Sequence, residues 1–298
     1  MDKYSVLLEN IIEFGNRADR ISAIIMIGSR VQANNRADEY SDLDLILIVN
    51  DIQSFINSND WLAQIGTHRI SFVEQTIDDA WEKRVMFDGA LDIDFVIFTQ
   101  KDAIKAITDG EAREVLREGY SVLVDKSGIA PYLPEIRTAK EPFIYPTEPE
   151  YQNVVNDFFY HTIWFGKKLL RGELWAAKFC LDSYMKSKVL WMAELYEHTK
   201  HVADYNIPER GRYFDIWASD NVKNKLKAAF AHYDRSDMIR ALQVSAKLFR
   251  ELSTTVAAEL NYVYPDSADS YVSEWFYQHI PPQGAHHEHT NIREIQML

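Results

Sequence analysis

Apolar residues in the first part of the chain fall into two spacings. Val6, Leu7, Ile11, Ile12 and Phe14 recur at helical intervals, which predicts a helix within residues 1–20. ISAIIMI, over 21–27, is instead an unbroken apolar run of strand length that stops at Gly28-Ser29. A polar loop, 32–41, leads to a second strand that opens at Asp42 and runs on as LDLILIV. Further strands are predicted at 69–74, 92–99 and 121–125, with a helix over 101–117. Strands and helices that interleave in this way predict an α/β (α+β) domain with a mixed sheet over residues 1–130.

The pattern changes after that. Five of the nine prolines lie between 131 and 149, and such a stretch cannot be regular helix or inner strand. Residues 131–150 are therefore read as a linker. Beyond it Tyr151, Val154, Val155, Phe158, Phe159 and Ile163 follow helical spacing, and 181–196 and 222–260 continue it. An all-α helical-bundle domain is expected over 151–280. Residues 281–298 read as a flexible tail, and His286, His287 and His289 within it as solvated side chains.

Composition narrows the function. Acids outnumber bases 45 to 32, a net charge of −13, and there is no basic run. Binding to polymeric nucleic acid depends on a basic surface, so this balance points away from RNA or DNA and towards a small cationic acceptor. No apolar run is long enough for a membrane span, and the N-terminus carries acids within its apolar pattern, unlike a secretory signal. The one cysteine, Cys180, fits a reducing cytoplasm.

Three short segments carry candidate chemistry. A glycine that ends a buried strand, Gly28, followed by Ser29, frees backbone N–H groups and one hydroxyl to cradle phosphate. Asp42 and Asp44, 14 and 16 residues after Gly28, share one face of a strand because strand side chains alternate. Paired carboxylates repel unless a cation lies between them, and Mg²⁺ takes such oxygen ligands together with substrate phosphates. Asp92 and Asp94 in LDIDFVIF repeat the pattern on what reads as a central strand. Asp182 and Lys186, four apart on a helix, can present a base and a cation together.

Gly28-Ser29, Asp42-x-Asp44 and a later strand aspartate resemble the nucleotidyltransferase superfamily that includes DNA polymerase beta. IMIGSRVQAN, YSDLDLILIVNDIQSFINSNDWLAQIG, DIDFVIFTQKDA and LFRELSTTVAAELNYVYPD are similar, more closely, to the aminoglycoside 6-adenylyltransferases. The similarity runs from about residue 8 to about residue 277. It implies a nucleotidyltransferase domain followed by an acceptor-binding helical domain. Gly28 and Ser29 would then cradle the triphosphate of ATP, and Asp42 and Asp44 would hold Mg²⁺. Asp94 would be the third ligand, with Asp92 the less favoured candidate, and Arg30 would brace the loop or touch phosphate. Asp182 would act as general base and Lys186 would hold phosphate, with Lys178 or Lys188 able to substitute. The implied reaction is transfer of AMP to a hydroxyl of a streptomycin-type acceptor, a step that confers antibiotic resistance. The acceptor would sit in an acidic cleft between the domains, with Asp38, Glu39, Glu82, Asp88 and Asp92 as candidate wall residues. Two alternatives stay open at this point: another acceptor (a different antibiotic, a protein or RNA), or a non-catalytic nucleotide sensor on the same fold.

Overall fold

The computed structural model describes residues 3–32, 37–76, 79–137, 142–201, 205 and 207–280. The histidine-bearing tail, 281–298, and part of the loop before Asp42, 33–36, lie outside the described residues. The chain divides into two compact units, 1–140 and 141–298, within the proline-rich stretch.

The first unit is built on six strands: β1 (Ile21–Ile27), β2 (Leu43–Val49), β3 (His68–Gln75), β4 (Trp81–Phe87), β5 (Leu91–Thr99) and β6 (Ser121–Asp125). Their order across the sheet is β3-β4-β5-β2-β1-β6. Only β2 and β5 run parallel; the other neighbours are antiparallel, so the sheet is mixed. Alternation along β2 sends Leu43, Leu45 and Leu47 into one core, shared with α1 (Ser5–Arg17), Phe55 and Trp61. Ile46 and Ile48 enter the opposite core, under α3 (Gln100–Asp109) and α4 (Ala112–Arg117). Asp44 has the parity of this second face, and so do Asp94, Glu82 and Arg84 through the register of β2, β5 and β4.

Two differences from the sequence pattern have clear causes. WEKRVMF is not among the strands the sequence pattern predicts, and its consecutive Glu82 and Lys83 do not read as buried positions. As β4 it buries both, at 6% and 2% exposure. Lys83 is tolerated because its ammonium donates to Phe55 O, Ile56 O and Ser58 O at 3.0, 3.3 and 2.7 Å, closing the end of α2 (Ile52–Ile56). The helix expected over 101–117 is two helices, α3 and α4, parted at Gly110.

The second unit is helical. Its long elements are α5 (Glu148–Leu170), α7 (Met185–Lys200), α10 (Arg235–Leu260) and α11 (Asp266–His279), with shorter α6 (Leu174–Phe179), α8 (Phe214–Trp217) and α9 (Asp220–Ala229) between them. Pro149 in the first turn does not block α5, where no intrahelical N–H is needed, and a Thr147–Glu150 capping box starts the helix. The helix expected across 222–260 is interrupted between α9 and α10, where Asp234 caps the new start by accepting from Asp237 N at 2.9 Å. A single π-helical turn, Cys180–Tyr184, joins α6 to α7. One apolar core runs through the unit, centred on Phe158, Phe165, Met192 and Phe249. No helix among the described residues is long and apolar enough to cross a membrane.

Candidate active site

Strand pairing assembles the carboxylates. β2 and β5 run in parallel with Asp44 opposite Asp94, and β1 lies on the other side of β2 with Ile27 opposite Asp44. Asp42 stands one residue before β2 begins. A carboxylate oxygen from each of Asp42, Asp44 and Asp94 lies within 4.8 Å of the others, the one group among the described residues with metal-ligand character. Three acids so close are costly when ionised. Burial first, then the charges of Asp42, Asp94 and Glu82, push Asp44 up to about 7. Asp94 is pushed up to about 6, again chiefly by burial, even though Arg84 opposes the shift.

The Gly28-Ser29 turn follows β1 directly. Gly28 has φ +77°, and a Cβ there would fall 2.1 Å from Asp44 Oδ2. Glycine is thus required twice, by backbone conformation and by the approach of the carboxylate. Ser29 Oγ is buried and has no hydrogen-bond partner, an orphan donor beside the triad's strand. An all-oxygen acidic set, a glycine that admits a carboxylate and an unsatisfied serine hydroxyl fit a hard divalent cation carrying phosphate.

The other expected residues are placed as follows. Asp92 is engaged by Tyr4, whose hydroxyl donates to its Oδ1 at 3.0 Å, and it stands outside the triad. Arg30 donates to the backbone oxygens of Asp42 and Ser41 at 2.8 and 2.7 Å. Of the five expected wall acids, the four besides Asp92 each have a partner of their own. Asp38 accepts from Tyr40 N within its own turn, and Glu39 meets Lys3 at 2.8 Å. Glu82 is buried beside Arg84, and Asp88 pairs with Arg69.

In the helical unit Asp182 and Lys186 do share a face, 3.7 Å apart. Lys186, expected to hold phosphate, is turned inward: it is 8% exposed and donates to Leu181 O at 3.1 Å and Ser245 Oγ at 2.9 Å. Burial pulls its ammonium down to about 8. The lysine on the outer side of Asp182 is Lys178, which contacts Oδ2. Oδ1 of Asp182 is buried and makes no hydrogen bond. Asp182 and Lys186 line a cavity of about 490 Å³ with Leu190, Phe214 and Phe230.

Sequence reading missed two sets of residues. Arg84 bridges Asp94, Glu82 and Glu74 at 2.9, 3.4 and 2.6 Å, supplying positive charge next to the triad. It lies in the charged run Glu82-Lys83-Arg84, which breaks the apolar alternation that would mark β4 as a strand. The second set is Asp157, which meets His161 Nδ1 at 2.6 Å, Lys188 at 2.8 Å and the Tyr184 hydroxyl at 2.9 Å. The i, i+4 spacing of Asp157 and His161 was visible; the π turn that delivers Tyr184 was not.

The family model for streptomycin adenylyltransferase matches residues 1–279. Aminoglycoside 6-adenylyltransferase of Staphylococcus aureus is 21% identical over 269 residues, covering 87% of this chain and 93% of that protein. Its counterpart from Bacillus subtilis (strain 168) is 20% identical over 267 residues, covering 87% and 92%. That of Campylobacter jejuni is 21% identical over 271 residues, covering 86% and 88%. Among solved structures, an aminoglycoside 6-adenyltransferase from Bacillus subtilis aligns with 91% of this chain and 96% of its own, at 17% identity and a TM-score of 0.44.

Proposed function

This chain belongs to the streptomycin adenylyltransferase family of nucleotidyl-transferring enzymes, and on that premise we propose that it transfers AMP from ATP to a hydroxyl of a streptomycin-type aminoglycoside, releasing pyrophosphate and inactivating the antibiotic. The observation that carries this reading is the convergence of Asp42, Asp44 and Asp94 within 4.8 Å, at the start of β2 and on its neighbour β5, with β2 paired on its other side to β1, the strand that the Gly28-Ser29 turn follows.

Asp42, Asp44 and Asp94 would hold Mg²⁺, which when bound offsets triphosphate charge and makes the α-phosphorus more electrophilic. Gly28 lets the backbone of its turn approach phosphate oxygens, and the unsatisfied Ser29 hydroxyl donates to one of them. Arg84 holds Asp94 in place through its ion pair. The acceptor hydroxyl gives its proton to Asp182, whose Oδ1 makes no other hydrogen bond, as its oxygen bonds to the α-phosphorus and the bond to the pyrophosphate oxygen breaks. Lys178 takes the phosphate-facing role first given to Lys186, because Lys186 spends its donors inside the helical core.

The acceptor's cationic groups are assigned to Asp38 and Glu39, on the loop that leads to Asp42. The Glu39–Lys3 bridge is exposed and readily exchanged for a ligand ammonium. Glu82 and Asp88 are already answered by arginines. A net charge of −13 supports a small cationic acceptor over a nucleic acid, and the single cysteine supports a cytoplasmic setting. Mass spectrometry of streptomycin incubated with the protein and Mg-ATP tests the acceptor assignment. An AMP adduct is expected; unmodified streptomycin alongside an adduct of another aminoglycoside would reassign the substrate within the same chemistry.

A further inference from the structure

Asp44 and Asp94 are held by strand ladders, whereas Asp42 lies outside β2 and its ladder. Its position must be fixed against two neighbouring carboxylates by something else. Arg30 does this from below: Nε donates to Asp42 O at 2.8 Å and Nη2 to Ser41 O at 2.7 Å. The guanidinium is in turn seated on the Tyr4 ring, 4.1 Å from its centroid. Tyr4 directly precedes α1 and is 3% exposed, and its hydroxyl exchanges two hydrogen bonds with Asp92: it donates to Oδ1 at 3.0 Å and accepts from the backbone N–H at 3.1 Å. A continuous path of contacts therefore runs from the backbone of Asp42 through Arg30 and Tyr4 to Asp92, two residues before Asp94.

We propose that Tyr4 and Arg30 are positioning residues that set the spacing between Asp42 and Asp94, and that Asp92 anchors this bracket and is not a ligand of the cation. The inference rests on the reading of Asp42, Asp44 and Asp94 as a metal site. Arg30 thereby acts on the nucleotide only through Asp42. The bracket also explains a second acid on the strand that carries Asp94: a carboxylate accepts from the tyrosine while its backbone N–H is donated back, which closes both of the hydroxyl's hydrogen-bonding roles.

The test is Mn²⁺ binding to the full chain, followed by electron paramagnetic resonance, with the melting temperature measured in parallel. Tyr4→Phe keeps the ring under Arg30 but removes both hydrogen bonds to Asp92; Arg30→Lys keeps the charge but loses the fork on Ser41 and Asp42. Each is expected to weaken Mn²⁺ by about 10-fold or more, as for residues that orient metal ligands. Asp92→Asn, which retains the acceptor oxygen and the N–H, is expected to stay within about two-fold of wild type, while Asp94→Asn loses binding. Equal losses for Asp92→Asn and Asp94→Asn would make Asp92 a ligand and overturn the proposal. Wild-type Mn²⁺ affinity in both Tyr4→Phe and Arg30→Lys, whatever their melting temperatures, would reduce the bracket to ordinary packing and overturn it as well. Wild-type binding in Asp94→Asn and Asp44→Asn would instead remove the metal site itself, and with it the proposed function.

Discussion

A Cβ on Gly28 would sit 2.1 Å from Oδ2 of Asp44, so the turn after β1 and the carboxylate on β2 occupy one tightly shared space. Gly28→Ala must displace Asp44 and also force φ +77° on a residue with a side chain. A loss of about 1–3 kcal/mol is expected in denaturant unfolding, together with loss of turnover. Gly128→Ala is the control: φ is +70°, but nothing lies within 4 Å of its Cβ, so it should cost about 1–2 kcal/mol and leave turnover intact. Equal activity in the two variants would mean that the space beside Asp44 is not used.

Asp44→Asn separates function from stability. The amide keeps the shape of the side chain and removes a charge crowded by Asp42, Asp94 and Glu82. Turnover should fall below detection, while the melting temperature of the metal-free protein at pH 8 should be unchanged or higher. A marked drop in melting temperature would mark Asp44 as a structural aspartate.

The same crowding sets a pH dependence. Asp44 is raised to about 7 and Asp94 to about 6, both above the ordinary carboxylate value, so the native metal-free protein binds more protons than the unfolded chain between roughly pH 4 and 7. Their contribution therefore favours folding at low pH and is lost as pH rises through 6 and 7. The stability gained on Asp44→Asn should grow from pH 5 to pH 8, and divalent-metal affinity should rise over the same window as the cation displaces protons. A stability difference that stays flat with pH would show that these carboxyls titrate normally.

Lys186 and Lys178 should part company. Lys186→Met strips a buried ammonium from Leu181 O, Ser245 Oγ and Asp182, and should cost about 3 kcal/mol in thermal or denaturant unfolding. Lys178→Met should cost less than about 1 kcal/mol and lower turnover. Asp182→Asn should reduce kcat by about 10²–10⁴-fold with little change in KM for ATP, as loss of a general base does. A kcat unchanged in Asp182→Asn would remove the base from the helical unit.

Much of this site was legible in the sequence, because strand period two and a glycine after an apolar run survive without tertiary information. β1, β2 and β5 could be read from ISAIIMI, LDLILIV and DIDFVIF, and with them Gly28, Asp42, Asp44 and the Asp92/Asp94 pair. Periodicity alone could not choose between the last two, since period two puts both acids on one face; the family resemblance favoured Asp94, and the Tyr4 contacts to Asp92 and the Asp44–Asp94 register separate them in the fold. β4 was hidden because its buried Lys83 depends on partners 25–28 residues away, at the end of α2, which its own spacing does not show. Lys186 shows the limit of helix spacing, which places a lysine beside Asp182 but does not say that Ser245, 59 residues on, will take its ammonium inward.

Acceptor-dependent pyrophosphate release from Mg-ATP, measured across a panel of aminoglycosides that includes streptomycin, is the most direct measurement of the central claim. Release that needs ATP, a divalent cation and a streptomycin-type acceptor together, and that vanishes in Asp44→Asn, is the predicted result. ATP binding without release for any acceptor in the panel would contradict it, and would leave the fold with a nucleotide-binding role in place of a catalytic one.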